Sequence, residues 1–341
     1  MMIGEYQRKM LILMISVNKI IFIFCIFFFS CQESLQRFAI YGYTQGTTYS
    51  VKYHAHKDLI SQSSIDSLLH IIDLSMSAYI PNSTIAKINN NIEYDLDSLI
   101  SYVLNRSIEI CEETNGMFDV TVSPIVNDWG FGPNLEHKKK ITFQNYEVGC
   151  DKIILQENKL VKNEVVKIDL NGIAQGFSVD YVSTYLLSKG VSDFMVEIGG
   201  EVTCAGNNLG DGWIIGVDNP SSKKRSFAYV LKLNDISLAT SGSYRNYYYL
   251  DSLKVSHTIN PKTFEPAFNT LLSATILSSD CISADAYATA CMSFGLDDAK
   301  KFLNDNGIIG ALIYSNNEDT LYYFSDGFSS FLHRSPGSAP Q

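Results

Sequence analysis

The segment Ser283-Ala284-Asp285-Ala286-Tyr287-Ala288-Thr289 sets a carboxylate and a hydroxyl four residues apart. On a helix that spacing stacks both oxygens on one face, a turn apart. Magnesium is a hard cation that takes oxygen ligands, few from protein and the rest from water or phosphate. Two ligands alone do not make a site, and an Asp near a helix start also suits the helix dipole. Three other blocks carry comparable chemistry. Asp169-Leu170-Asn171-Gly172-Ile173-Ala174-Gln175-Gly176 puts small residues at a helix start. A ligand can approach the backbone there and free N–H groups attract anions, a pyrophosphate included; close helix–sheet packing would use the same glycines. Ser256-His257-Thr258-Ile259-Asn260-Pro261 offers an imidazole, whose ordinary pKa suits proton transfer near neutrality, though a lone His is often structural. Gly116-Met117-Phe118-Asp119-Val120-Thr121 can present an aromatic face and a carboxylate together, or simply pack a Phe in a turn. Only the joint presence and order of the four blocks carry weight.

The elements that must hold these residues read as a mixture of hairpins and helices, an α+β fold with largely antiparallel sheets. Residues 64–76 have helical spacing with Ser64 as cap; residues 83–90, 97–114 and 297–306 also read as helices. Residues 171–189 predict a helix capped by Asn171 and stopped at Gly190, and residues 283–294 one capped by Ser283. Strand chemistry marks residues 47–54, 194–198, 213–217 and 273–278. Residues 227–233 and 236–240 read as a strand pair, and residues 152–170 as paired strands turning at Glu157-Asn158. Residues 247–259 read as a hairpin turning at Asp251-Ser252, and residues 310–314 and 320–324 as closing strands. Neither a dinucleotide-binding glycine fingerprint nor a P-loop is present.

The chain has 341 residues, 46% hydrophobic and 18% charged, which is globular composition. Its net charge of −10 argues against nucleic acid as a partner. Any phosphate-bearing ligand therefore needs a metal, a helix N-terminus or selected cations. The run Lys138-Lys139-Lys140 reads as a solvated loop.

Residues 20–29, IIFIFCIFFF, are apolar but too short to span a bilayer, with Lys19 before and Ser30-Cys31 after. This is the layout of a secretory signal, and Cys31 resembles a lipobox cysteine, without the usual Leu three positions earlier. The resulting division is a signal over 1–30, a lipid-anchored tether over 31–44, a catalytic domain over 45–332 and a tail over 333–341. The compact start MISVNK makes Met14 or Met10 a candidate initiation site. The folded part is expected outside the cytoplasm, bound to a membrane through lipid on Cys31. The five later cysteines show no CxxC or zinc spacing; buried free thiols are the simplest reading, and their odd number leaves at least one unpaired.

Taken together, the blocks resemble the ApbE family of FAD:protein FMN transferases, over about 45–332. The match also includes Gly46-Thr47-Thr48-Tyr49, Ser77-Ala78-Tyr79, Asn82-Ser83-Thr84-Ile85, EIGGEV at 197–202 and ATSGSYRN at 239–246. The resemblance implies a T-fold-like architecture, with FAD contacts from Gln45, Tyr79, Met117, Phe118, Asp119, Asp169, Gln175 and Ile259. It also implies magnesium held by Asp285, Thr289 and the backbone oxygens of Gly172 and Ala288, with His257 as base. The family usually has Met where Gln45 stands, often Lys in place of Gln175 and Asp in place of Asn260. The implied reaction moves FMN from FAD onto a Ser or Thr hydroxyl of an acceptor protein and releases AMP. Sodium-pumping (NQR) or RNF-type respiratory subunits are the implied acceptors. Two alternatives stand beside it: a magnesium-dependent FAD pyrophosphatase, which uses the same site with water as acceptor, and a flavin-binding lipoprotein without catalysis, against which Asp285, Thr289 and His257 speak because pure binding needs no base.

Overall fold

The computed structural model describes residues 34–336 apart from 134–145, 223–225, 245, 251–252 and 318, and upstream only residues 4, 8 and 10. The apolar run and cleavage point of the expected signal, Cys31, the lysine run and the Asp251-Ser252 turn lie outside the described residues. The chain divides into two units, Met1–Gln36 and Arg37–Gln341. No described helix is long and apolar enough to cross a membrane.

The main sheet has eight strands: β1 (Gln36–Thr44), β2 (Thr47–Ala55), β3 (Phe194–Ile198), β4 (Glu201–Ala205), β5 (Ile236–Gly242), β6 (Leu271–Ser278), β7 (Ile309–Asn316) and β8 (Asp319–Phe324). Their spatial order follows chain order, and every neighbouring pair from β2 onward is antiparallel. Period-two alternation gives each strand two faces. Val196 and Ile198 of β3 pack on one side with Val179, Val182 and Leu186. Met195 joins Val202, Trp213 and Leu231 on the other. That second face is covered by a three-stranded sheet of Trp213–Asp218, Phe227–Leu233 and Leu332–Arg334.

Seven helices complete the described unit: α1 (Gln62–Met76), α2 (Thr84–Asn89), α3 (Ser98–Glu113), α4 (Ser123–Asp128), α5 (Ala174–Ser188), α6 (Cys281–Phe294) and α7 (Leu296–Asp305). Helices α5 and α6 carry small and apolar residues nearly all round and are buried on several sides, as internal helices are. The long excursion between β2 and β3 brings residues 116–121 and 169–176 to the rim of α6.

Several expectations need correction. Residues 36–44, read as tether, form strand β1, and the expected tail contributes residues 333–334 to a strand. Residues 227–233 and 236–240 are not partners: the first pairs with 213–218 in the small sheet, the second with β4 and β6. Strand β4 was not anticipated. Residues 163–170, read as strand, form no strand of their own. Helix α1 is capped by Ser61, whose hydroxyl accepts from the Ser64 N–H.

Candidate active site

Helix α6 is held at its first turn by two carboxylates. Asp280, the N-cap, accepts from the Ser283 N–H at 2.9 Å. Asp180 of α5 accepts from the N–H groups of Cys281 at 2.9 Å and Ile282 at 2.8 Å. Ser283 therefore donates to the cap instead of being it. Burial pushes Asp180 up to about 6, against the pull of those N–H groups. With the helix so fixed, Asp285 and Thr289 point the same way. Thr289 Oγ1 lies 3.2 Å from Ser241 Oγ on β5, and Asp285 Oδ2 accepts from the Gly176 N–H at 3.0 Å. Burial raises the Asp285 carboxyl above the usual carboxylate range.

Helix α5 begins at Ala174, three residues later than its sequence suggests, and Ile173 at its N-cap offers no side-chain bond. Asn171 instead donates its N–H to Asp169 Oδ1 at 2.9 Å, closing a turn. The Ala174 N–H bonds Leu170 O and the Phe177 N–H bonds Ile173 O, while the Gly176 N–H between them goes to Asp285. The Gly172 carbonyl is thereby left out of the i to i−4 bonds on either side of it. A Cβ on Gly172 would sit 3.1 Å from Thr289 Oγ1 and one on Gly176 only 2.4 Å from Cys281 O. Both glycines let the chain at α5 and helix α6 come close where the Asp285 and Thr289 oxygens emerge.

Helix α3 ends at the left-handed pair Asn115 (φ 56) and Gly116 (φ 77), which turns the chain into the cleft. Met117 and Phe118 are buried there. Asp119 is also buried; Oδ1 accepts from the Thr121 N–H at 2.8 Å and Thr121 Oγ1 at 2.6 Å. Burial raises its pKa against those bonds. Cys111 and Cys150 form a disulfide beside this loop, which corrects the free-thiol reading for these two; Cys204, Cys281 and Cys291 are free and buried. Among the described residues, one group of three His, Cys, Asp or Glu ligand atoms falls within 4.8 Å: Cys111, Asp119 and Cys150. With its sulfurs bonded to each other it is not a metal site.

The histidine segment is anchored on the far half of α6. Ser293 Oγ donates to Ile259 O at 3.2 Å, and Ile259 is buried with Ile125 and Trp129. His257 sits half buried, with Nδ1 3.2 Å from Asn246 O and Phe131 against its ring edge. Desolvation lowers its pKa, partly offset by that carbonyl. Asn260 Oδ1 accepts from the N–H groups of Lys262 and Thr263. Its side chain serves a local turn, so the position does not act as the imidazole's partner.

These segments enclose a cleft of about 360 Å³ that gathers Tyr79, Met117, Phe118, Asp119, Asp169, Gly172, Gln175, His257, Ile259, Asp285 and Thr289. Two expected residues do not line it. Gln45, at the β1–β2 turn, donates from Nε2 to Ser178 Oγ at 2.7 Å. The Ala288 side chain is fully buried in the core. Glu201, Ser241, Asn246 and Asn171 line the cleft without having been assigned a role in the site. All four lay inside quoted blocks, but nothing local distinguishes Glu201 and Ser241 from ordinary strand residues, or the two asparagines from ordinary turn and cap residues. Four carboxylates (Asp119, Asp169, Glu201 and Asp285) and no Lys or Arg face the cleft among the described residues. A larger open hollow of about 730 Å³ on the small-sheet side meets it at Gly199 and Thr240.

The family model described as the ApbE family matches residues 45–313. The chain belongs to the ApbE family. It is 32% identical to the FAD:protein FMN transferase of Vibrio cholerae over 89% of this chain and 95% of that one. Identity to the FAD:protein FMN transferase of Haemophilus influenzae is 34%, over 83% and 88%. The solved ApbE flavin transferase of V. cholerae superposes with a TM-score of 0.78 at 31% identity, covering 88% of this chain and all of that one. The apo ApbE flavinyl transferase of Pseudomonas stutzeri gives 0.79 at 25% identity, over 87% and 97%. The ApbE architecture expected from the blocks is thus the observed one.

Proposed function

We propose that this protein is a magnesium-dependent FAD:protein FMN transferase acting on a Ser or Thr hydroxyl. Family membership makes it a transferase enzyme with FAD as substrate; the metal and the hydroxyl are our own reading. One observation carries it: an acidic cleft without Lys or Arg among its described lining residues must receive a ligand whose pyrophosphate is itself negative. A bound cation resolves that conflict. The donor set suits a hard one: the Asp285 carboxylate, the Thr289 hydroxyl and the Gly172 carbonyl outside the helical ladder, joined by the Ala288 carbonyl. Magnesium held there would offset the diphosphate charge and polarise the phosphoryl oxygens.

The remaining work falls to the chain itself. Met117 and Phe118 offer apolar surface to a flat ring. Gly172, just ahead of α5, presents its backbone to the ligand with no side chain in the way. His257, neutral because burial disfavours its charged form, accepts the acceptor hydroxyl's proton. The acceptor oxygen bonds to the FMN phosphorus as the bond to AMP breaks, and the rate comes mostly from positioning and charge neutralisation. Export, a lipid on Cys31 and acceptors of the NQR or RNF type complete the reading. The Cys111–Cys150 disulfide supports an oxidising compartment.

The test uses the soluble form starting after Cys31, with FAD, magnesium and an acceptor domain carrying a Ser/Thr flavinylation motif, read by intact mass. The acceptor should gain the mass of FMN, and both EDTA and Asp285→Ala should abolish the gain. Free FMN and AMP without a gain would show a pyrophosphatase instead, and bound but intact FAD a carrier.

A further inference from the structure

We propose that the Cys111–Cys150 disulfide is a positioning element of the flavin subsite: it fixes the loop that aims Asp119 into the cleft. The inference rests on the proposed FAD site and concerns a feature that site does not require for its chemistry. Cys111 lies in the last turn of α3, and its carbonyl accepts the Gly116 N–H at 2.7 Å. That bond closes the turn from which Met117, Phe118 and Asp119 enter the cleft. Cys150 stands on the opposite side of the same loop. Its neighbour Gly149 donates its N–H to Thr121 Oγ1 at 2.8 Å, and that hydroxyl is the one donating to Asp119 Oδ1 at 2.6 Å. The Cys150 N–H also favours the charged form of Asp119. Both sulfurs lie within 4.8 Å of an Asp119 carboxylate oxygen.

The covalent bond therefore joins the origin of the flavin loop to the segment that supports its carboxylate. The two cysteine Cα atoms are 6.3 Å apart across 39 residues of chain. Without the bond, the segment around Cys150 is tied to the loop by non-covalent contacts alone: the hydrogen bonds Gly149 to Thr121 and Tyr146 to Asp128, and the packing of Tyr146 and Val148 against the cluster of Ile125 and Trp129. A buried carboxylate that loses its orienting groups tolerates reorientation poorly. A polar ligand contact made by Asp119 should then weaken, while Asp285 and Thr289, fixed on α6, stay in place.

The measurement is FAD affinity by quenching of flavin fluorescence, well below the melting temperature, for wild type, C111S/C150S, D119A and the triple variant. We expect C111S/C150S to bind FAD about tenfold more weakly, equivalent to one charge-assisted contact. The triple variant should bind no more weakly than D119A alone, since groups acting through one another are not additive. A merely structural cross-link would lower the melting temperature and leave FAD affinity unchanged. Wild-type affinity in C111S/C150S, or fully additive losses, would overturn the proposal. Should the serine variant fail to fold, folded wild type is treated with a dithiol and iodoacetamide. The dithiol supplies two electrons and two protons, leaves as its own cyclic disulfide, and the two cysteine thiols are trapped as alkyl derivatives, counted by mass. Unchanged FAD affinity in that protein overturns the proposal equally. If wild type binds no FAD, the proposed function itself falls, and this inference with it.

Discussion

His257 illustrates how a single side chain acquires its role from its surroundings. If the neutral ring donates its Nδ1 proton to Asn246 O, 3.2 Å away, Nε2 is left as the acceptor. Burial lowers the pKa from the ordinary 6.5, so the folded protein keeps the basic form to a lower pH than a free imidazole would. Transfer should accordingly hold level through neutrality and fall only below pH 6.5. A pH–rate profile taken with magnesium saturating at every pH, which removes the contribution of the raised Asp285 carboxyl, and still showing its acid limb at or above that value would contradict the assignment. His257→Ala should keep FAD binding and slow transfer by about 100-fold or more. Equilibrium binding and single-turnover mass spectrometry separate the two effects. The His was legible as a candidate from its residue type. Asn246, eleven positions away, was not, because a backbone carbonyl has no sequence signature.

At the scale of elements, the site is the seam between α5 and α6. Gly176 lets the helices meet closely enough for its own N–H to reach Asp285, and Asp180 holds the first turn of α6 through two N–H groups. Gly176→Ala would drive a Cβ into Cys281 O at 2.4 Å and Asp285 Cβ at 2.8 Å. Neither obstacle is the free end of a flexible chain, so the helices must separate, at a cost of about 1–3 kcal/mol. Denaturant unfolding should show that loss, and the magnesium concentration for half-maximal transfer should rise. Wild-type values on both would show that the seam can relax. The sequence marked both helices but misplaced their caps. Ser, Asp and Asn all cap well, and where several crowd a helix start, as Asp280 and Ser283 do, backbone geometry selects among them.

For the whole molecule, the disulfide and the three buried thiols define a redox pattern that can be counted. The soluble form starting after Cys31 should show no reactive thiol while folded, three after denaturation and five after denaturation with reductant. Five before reduction would remove the cross-link. Closing a 39-residue loop restricts the unfolded chain by roughly 4 kcal/mol in the loop-entropy treatment. Reduction should therefore lower the melting temperature besides any effect on the flavin subsite.

The sequence by itself determined which residues could do chemistry and most of the elements carrying them. Residue type sets ligand and proton chemistry, and the 3.6- and 2-residue periods set helix and strand. Eleven of the thirteen nominated residues meet in one cleft. Only the tertiary structure decided which strands pair. Residues 227–233 and 236–240 are two residues apart in the chain yet enter different sheets, because alternation records a buried face and not the partner across it. It also decided that Cys111 and Cys150 meet and that four carboxylates share one cleft. Each of these depends on contacts between distant segments, which local pattern does not encode.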